Sequence, residues 1–206
     1  MNVSYAILTH NEGKSIEILL KKLKEFKTPG DEIVVVDDLS TDEETNQILD
    51  KYYTDGLIDR LTTHPLNNNF ANQKNFLASL CEKEYIFNID ADETPSDDLM
   101  RFLHMTLDMN HEVDMYAVPR WNTVEGITQE HVQKWGWRLD DQKRINWPDY
   151  QMRIYKNNGK IKWINPVHEI LHGYKQYSAL PDSMCLMHPK DIKRQENQNQ
   201  LYNTIL

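Results

Sequence analysis

The sequence is short of cysteine and of positive charge, and each shortage excludes a class of protein. Its 206 residues include two cysteines, Cys81 and Cys185, whose separation fits neither a metal site nor a redox motif. Two thiols cannot form the dense framework of a small secreted domain, so both are expected to be small buried side chains. The 23 basic residues stand against 32 acidic ones, and the net charge of -9 disfavours binding to nucleic acid or anionic lipid.

Long apolar runs are also missing. No segment approaches the ~20 apolar residues that a membrane-spanning helix needs. The first residues lack the basic start and the unbroken apolar stretch of a secretion signal. We therefore expect a cytoplasmic protein without a transmembrane segment, an expectation that is compatible with peripheral contact to a membrane-borne substrate.

What is present is the composition of one folded domain. Hydrophobic residues make up 39% of the chain and charged residues 27%, close to globular averages. A chain of this length can bury a sizeable core without disulfides or metals. No internal repeat or linker divides it, so residues 1–206 are expected to form a single domain.

The first half alternates strand patterns with helix patterns. Strands are predicted at 3–9, 32–36, 58–62 and 85–89, and helices at 16–26, 42–53 and 70–81. Thr94 and Pro95 have the pattern of a helix start, with a cap before a proline at the first helical position. This alternation predicts an α/β fold with a mostly parallel sheet flanked by helices.

The second half is less regular. After a strand at 115–118, residues 120–150 are polar and hold four of the five tryptophans, which are more typical of packing than of sugar stacking. A hairpin is predicted from 151–155 and 160–164 around Asn157, Asn158 and Gly159. A strand at 184–187 and a polar helix at 191–206 complete the prediction, which adds a smaller antiparallel β portion to the C-terminal half.

Two acidic residues follow the strand at 85–89. Residues two apart in extended backbone project to the same side, so Asp90 and Asp92 can point together from the carboxyl end of a strand, where open α/β sheets bind ligands. Two carboxylates there suit Mg²⁺ or Mn²⁺. The alternative is that they only cap and solvate the next helix.

A second acidic pair, Asp37 and Asp38, follows the buried strand at 32–36. A carboxylate in this position can accept hydrogen bonds from a nucleobase or a ribose. Ser40 or Thr41 can at the same time cap the following helix.

In order and spacing these segments resemble the family 2 glycosyltransferases, which have the GT-A fold, a Rossmann-like sheet. The motifs are AILTHNE at 6–12, VDDLSTD at 36–42, FANQKN at 70–75 and DADE at 90–93. YQMRIY at 150–155 and PVHE at 166–169 are similar to later motifs of the bacterial branch that adds sugars to lipopolysaccharide cores. Residues 120–149 match no part of the family pattern, and Asn72 and Gln73 replace its usual small residues.

The resemblance implies an inverting, divalent-metal-dependent transfer of a sugar from a nucleotide-diphosphate donor to an acceptor hydroxyl. The expected donor is a UDP-sugar, the acceptor a glycan or glycolipid, and the cofactor Mn²⁺ or Mg²⁺. Residues 1–110 would bind the nucleotide sugar, and residues 111–206 would bind the acceptor and catalyse. The implied donor-binding residues are Thr9, Asn11, Glu12, Asp38, Lys74, Asp90 and Arg153. The implied metal ligands are Asp92 and His188.

The expected general base is Glu169, which would take the proton of the acceptor hydroxyl. Its alternative role is a salt bridge in a loop, in which case Asp149 or Asp141 would be the next candidate. Imidazole suits Mn²⁺, which favours His188 as a late metal ligand.

Two other functions remain open at this stage. A nucleotidyltransferase has a similar sheet and similar metal carboxylates, but it needs a glycine-rich basic loop after the first strand, whereas residues 8–13 hold one glycine and an acid. A non-catalytic nucleotide-sugar-binding module would have the same fold without turnover.

Overall fold

The computed structural model describes residues 1–205, with side chains through residue 200. The described strands are β1 (Val3–Thr9), β2 (Glu32–Asp37), β3 (Arg60–Thr63), β4 (Tyr85–Asp90), β5 (Thr94–Pro95), β6 (Met115–Glu125), β7 (Tyr150–Lys156), β8 (Lys162–Ile164), β9 (Ile170–His172), β10 (Tyr177–Ala179) and β11 (Leu186–Asp191). The helices are α1 (Lys14–Phe26), α2 (Glu43–Thr54), α3 (Phe70–Ser79), α4 (Asp97–Met109), α5 (Gln129–Trp135) and α6 (Ile192–Ile205).

The strands form one large mixed sheet and one small sheet. The large sheet has the order β3-β2-β1-β4-β7-β6-β11-β5, and β10 pairs with β6. Its first four strands are parallel, while β7 runs antiparallel to both β4 and β6. Strands β8 and β9 form a separate antiparallel pair. The predicted α/β class, with a mostly parallel sheet and an antiparallel portion in the C-terminal half, is confirmed.

Both faces of the parallel sheet are covered by helices, which explains its continuous apolar strands. In β1, Tyr5 and Ile7 belong to the larger core cluster with the buried faces of α1, α2 and α4. Ala6 points to the opposite side and joins a second cluster with α3. The period of two along the strand thus divides one apolar run between two cores.

The parallel strands place their carboxyl ends at one edge of the sheet. The chain leaves β1 at Thr9, β2 at Asp37 and β4 at Asp90. Residues that follow these strands in sequence therefore meet in space, although the ends of β1 and β4 are 81 positions apart in the sequence.

The prediction of a helix start at Thr94 and Pro95 is wrong. These two residues form β5, an edge strand antiparallel to β11, where the missing N–H of proline is tolerated. Ser96 caps α4 instead, because its hydroxyl accepts a hydrogen bond from the backbone N–H of Leu99 at 3.2 Å.

The predicted hairpin is also wrong, although its turn is present. Asn158 Oδ1 accepts hydrogen bonds from the backbone N–H groups of Lys160 and Ile161, at 2.9 and 3.3 Å. After the turn the chain leaves the sheet, because Asn75 of α3 takes both the N–H and the C=O of Trp163, at 3.0 and 2.8 Å. Strand β8 then pairs with β9, and β7 pairs with β4 and β6.

The segment 120–149 has more regular structure than the sequence indicated. Strand β6 continues to Glu125, and α5 follows it. The rings of Trp121 and Trp147 meet edge to face at 5.7 Å, and the guanidinium of Arg144 lies 4.9 and 4.3 Å from their centroids. These contacts pack the segment against itself.

Two further expectations concern the cysteines and the membrane. Cys81 and Cys185 are both buried and free, as expected. Within the described part of the chain, none of the helices has the length and apolarity needed to cross a membrane.

Ser96 provides a test of the helix assignment. Its hydroxyl caps α4, accepts from Cys185 N at 3.2 Å and donates to Ser183 O at 2.7 Å. Ser96→Ala should therefore lower the free energy of unfolding by about 1–2 kcal/mol, as measured by urea unfolding. Ser79→Ala is the matched control, because the exposed Ser79 hydroxyl bonds only locally to Phe76 O. Equal stability of the two variants would contradict the assignment.

Candidate active site

An open cleft of about 1150 Å³ lies at the carboxyl ends of the parallel strands. All ten residues that the sequence predicted for the site line this cleft: Thr9, Asn11, Glu12, Asp38, Lys74, Asp90, Asp92, Arg153, Glu169 and His188. Their surroundings differ, and these surroundings determine what each can do.

Two residues at the end of β1 have different surroundings. The hydroxyl of Thr9 is buried without a hydrogen-bond partner among the described residues, so it is available to a ligand. Asn11 has a positive φ of 53° and its Oδ1 accepts from the backbone N–H groups of Thr41 and Asp42, at 2.7 and 3.1 Å. Asn11 thus joins the loops after β1 and β2.

The two aspartates at the end of β2 also have different contacts. Asp37 is buried and accepts from the N–H and hydroxyl of Ser40, at 2.8 and 2.5 Å, which fixes the loop. Asp38 lines the cleft, and its Oδ1 accepts from Leu66 N at 2.7 Å. Asp38 Oδ2 lies 3.9 Å from His10 Nδ1, which leaves this oxygen the freer one to accept from a ligand.

A chain of charges lies at the centre of the cleft. Arg153 Nη2 contacts both Asp90 and Glu93 at 2.6 Å, and Arg120 contacts Glu93 at 3.4 Å and Asp149 at 2.8 Å. Burial opposes the ionisation of Asp90, but the positive charge of Arg153 nevertheless lowers its pKa well below the usual range. Asp90 and Arg153, both predicted to bind the donor, are therefore bound to each other.

Asp149, an alternative base, is held by several donors. It accepts hydrogen bonds from Arg120, from Asn122 Nδ2 at 2.7 Å and from Gln151 Nε2 at 3.0 Å. These contacts fix the orientation of its carboxylate. The other alternative, Asp141, is exposed in the loop after α5.

Asp92 and His188 form the predicted metal pair. Asp92 Oδ2 lies 3.1 Å from His188 Nε2, and His188 Nδ1 donates to Asn122 Oδ1 at 2.7 Å. In that tautomer Nε2 presents a lone pair to a carboxylate oxygen, so a proton or a cation must lie between the two atoms. An imidazole oriented through its other nitrogen is the usual arrangement of a metal ligand.

These residues fit a divalent cation in part. No cluster of three or more His, Cys, Asp or Glu side chains in the described residues forms a complete ligand shell. Mg²⁺ and Mn²⁺ need few protein ligands when water and phosphate oxygens supply the rest. Asp92 and His188 would therefore hold the ion, and the substrate would complete its coordination.

Sequence reasoning missed two cations beside this pair. Lys190 Nζ lies 3.6 Å from Asp92 Oδ2, and Arg194 Nη2 contacts Asp92 at 3.1 Å and Glu12 at 2.5 and 2.6 Å. Burial opposes ionisation of Asp92, but the hydrogen bond from His188 and these charges lower its pKa below the usual range. Burial raises the pKa of Glu12 in spite of Arg194. The signal for Lys190 was present in sequence, since it lies two residues after His188 and shares its side of a strand.

Glu169 and Lys74 are paired with each other. Lys74 Nζ donates to Glu169 Oε1 and lies 4.4 Å above the ring of Trp163, with only 4% of its side chain exposed. The family resemblance implied that Lys74 binds the donor. Here it holds the candidate base at the wall of the cleft.

The fold and this cleft define a class of protein. A mostly parallel Rossmann-like sheet, with acidic residues after successive strands and a cleft at their carboxyl edge, is the architecture of the GT-A glycosyltransferases. The sequence profile of Glycosyl transferase family 2 matches residues 4–169, and the chain belongs to this family.

Solved structures with the same fold include S. aureus TarS. The crystal structure of TarS 1-349 has a TM-score of 0.65 and 19% identity, and the match covers 100% of this chain and 64% of that chain. The crystal structure of TarS 1-349 in complex with UDP-GlcNAc has a TM-score of 0.64 and 20% identity, and the match covers 92% of this chain and 59% of that chain. The crystal structure of S. aureus TarS has a TM-score of 0.64 and 18% identity, and the match covers 100% of this chain and 39% of that chain.

At these identities the likeness establishes the fold alone. The chain spans less than two thirds of the TarS chains it matches. A sequence search among curated proteins finds no significant match.

The buried charge chain leads to a stability prediction. Glu93 is fully buried between two guanidinium groups, so Glu93→Gln removes the charge that balances them. Urea unfolding should show that this substitution lowers the free energy of unfolding by about 3–5 kcal/mol. Glu17→Gln removes only an exposed contact with Lys21 and should cost less than about 1 kcal/mol. If Glu93→Gln also lowered the free energy of unfolding by less than about 1 kcal/mol, the contacts of Glu93 with the two arginines would not stabilise the fold.

Proposed function

We propose that this domain transfers a sugar, with inversion, from a nucleotide-diphosphate donor to an acceptor hydroxyl in a divalent-metal-dependent reaction. One observation carries the proposal. Residues from seven separate sequence segments, each predicted for donor binding, metal binding or proton transfer, line a single cleft at the carboxyl edge of the sheet. Membership of the family supports the reaction class.

The nucleotide half is assigned to residues 1–110. The unpaired hydroxyl of Thr9 and the half-buried carboxylate of Asp38 offer hydrogen bonds to a ribose or a base. UDP is the proposed nucleotide, and the solved complexes of TarS with UDP-GlcNAc and with UDP support it. The rival nucleotidyltransferase function has no comparable support, because the loop after β1 lacks a glycine-rich phosphate cradle.

The metal site is assigned to Asp92 and His188, with Mn²⁺ or Mg²⁺ as the ion. When bound, the ion would act as a Lewis acid that stabilises the departing nucleotide diphosphate. The chain itself contributes two cations next to this site, the buried Lys190 and the partly exposed Arg194, which can offset further negative charge of the leaving group.

Proton transfer is assigned to Glu169. Its contact with Lys74 holds the carboxylate at the cleft wall, where it can take the proton of the acceptor hydroxyl as the oxygen attacks the anomeric carbon. The bond between that carbon and the diphosphate oxygen breaks on the opposite face. Correct placement of the acceptor oxygen matters as much as the base.

The acceptor half is assigned to residues 111–206. Trp137 and the exposed ring of Tyr150 line this side of the cleft, and amide groups of Asn146 and Gln151 lie among them. Aromatic faces with amide donors suit a glycan or the sugar portion of a glycolipid. An acceptor of the lipopolysaccharide-core type, a cytoplasmic location and peripheral membrane contact remain parts of this proposal.

Donor binding tests the metal assignment. UDP-sugars should raise the melting temperature of the wild type, and more so with Mn²⁺, by mass action. In Asp92→Asn the additional effect of Mn²⁺ should vanish, because the substitution removes the charged ligand. Asp50→Asn, an exposed aspartate of α2, is the charge-matched control. Calorimetry that finds unchanged donor affinity in Mn²⁺ for Asp92→Asn would refute the assignment.

Turnover tests the base and separates an enzyme from a binding module. Glu169→Gln keeps the size of the side chain but cannot accept the proton, so UDP release at saturating donor should fall by roughly a hundredfold or more. Donor affinity should stay near wild type, whereas the melting temperature should fall because the buried ammonium of Lys74 loses its counter-charge. Near-normal turnover would remove Glu169 from the mechanism. Absence of turnover in the wild type, with donor binding intact, would favour the non-catalytic module.

A further inference from the structure

The carboxylate of Asp92 is surrounded by three nitrogen-bearing side chains, two of which are cations. Its Oδ2 lies 3.1 Å from His188 Nε2, 3.1 Å from Arg194 Nη2 and 3.6 Å from Lys190 Nζ. Its side chain is only 12% exposed, so these groups and the protein around them replace most of the water. The carboxylate proposed to hold a divalent cation thus already has cationic partners.

The three groups differ in how firmly they are held. His188 and Lys190 are alternate residues of β11, both 8% exposed, and each has a second partner, Asn122 for His188 and Gln198 for Lys190. Arg194 lies in the first turn of α6, where Asp191 Oδ1 accepts its backbone N–H at 2.9 Å. Its side chain is 37% exposed and has the greatest freedom to move.

Arg194 also joins two strand ends. A single nitrogen, Nη2, contacts both oxygens of Glu12 at 2.5 and 2.6 Å and Oδ2 of Asp92 at 3.1 Å. Glu12 follows β1 and Asp92 follows β4, so without a cation these buried carboxylates would repel each other. Three carboxylate oxygens around one positive atom form an arrangement that a small divalent ion also favours.

We propose that, when no metal is bound, the guanidinium of Arg194 occupies the place next to Asp92 that a divalent cation takes when it binds. A divalent ion must displace the guanidinium from Asp92, while Glu12 retains it. This inference rests on the proposed function, because it takes the cleft to bind a divalent ion.

The local charge balance has a consequence for the order of binding. Glu12 and Asp92 carry two negative charges, and Lys190 and Arg194 carry two positive charges, so these four side chains are together neutral without metal. A divalent ion alone leaves the group with two uncompensated positive charges. The diphosphate of the donor supplies the missing negative charge, so metal and nucleotide should bind together rather than separately.

Manganese titration followed by electron paramagnetic resonance tests this inference, first without nucleotide and then with UDP. The wild type should bind Mn²⁺ weakly alone and about tenfold or more tightly with UDP. Arg194→Gln should bind Mn²⁺ about tenfold more tightly than wild type when UDP is absent, because a competing cation is gone. Lys193→Gln, an exposed lysine one residue away, removes the same charge and should behave as wild type.

The sign of the change is diagnostic, since structural damage would weaken metal binding rather than strengthen it. Arg194→Met keeps part of the apolar stem and should give the same result. Mn²⁺ should also raise the melting temperature of both variants more than that of wild type. If wild type binds Mn²⁺ in the presence of UDP, but the Arg194 variants bind Mn²⁺ no more tightly than wild type when UDP is absent, the inference is wrong and the proposed function stands. If UDP binds and Mn²⁺ does not, in any variant, metal dependence and the inference both fail.

Discussion

The position of Glu93 between Arg153 and Arg120 is the interaction on which the cleft depends. Glu93 Oε2 accepts from Asp90 N at 3.1 Å, which closes the loop after β4, and its Oε1 contacts the guanidinium groups of β7 and β6. One buried carboxylate therefore ties the parallel part of the sheet to the antiparallel part. Because a buried charge is costly unless it is paired, this contact also fixes which strands can lie next to each other.

The same principle of pairing extends across the cleft. Acids and bases that line it are matched as Asp90 with Arg153, Asp149 with Arg120, Glu169 with Lys74 and Glu12 with Arg194. A protein with a net charge of -9 would repel an anionic substrate at long range. Local neutralisation of the carboxylates removes that obstacle near the cleft, and it keeps cations close to where phosphate oxygens are proposed to lie.

The sequence was informative wherever a local pattern determined the outcome. Buried strands followed by acids were recognisable, and because those strands are parallel, Asp38, Asp90 and Asp92 line one cleft. Arg194 was missed because its position depends on β11 lying parallel to β6, with His188 opposite Asn122, a pairing that no local pattern reveals. The hairpin prediction failed for the same reason. The turn at 157–159 reverses the chain, but the pairing partner of each strand is set elsewhere: β7 lies between β4 and β6, and Asn75 of α3 binds the backbone of Trp163 in β8.

The loop that carries Glu169 is fastened to α3 at two points. Phe70 N donates to Pro166 O at 2.9 Å, and Asn75 holds the backbone of Trp163. Helix α3 and the candidate base thus form one mechanical unit, and neither of these two fastenings involves the tryptophan-rich segment 120–149. Substitutions in that segment, part of the proposed acceptor side, can therefore change the choice of acceptor while Glu169 keeps its position relative to α3.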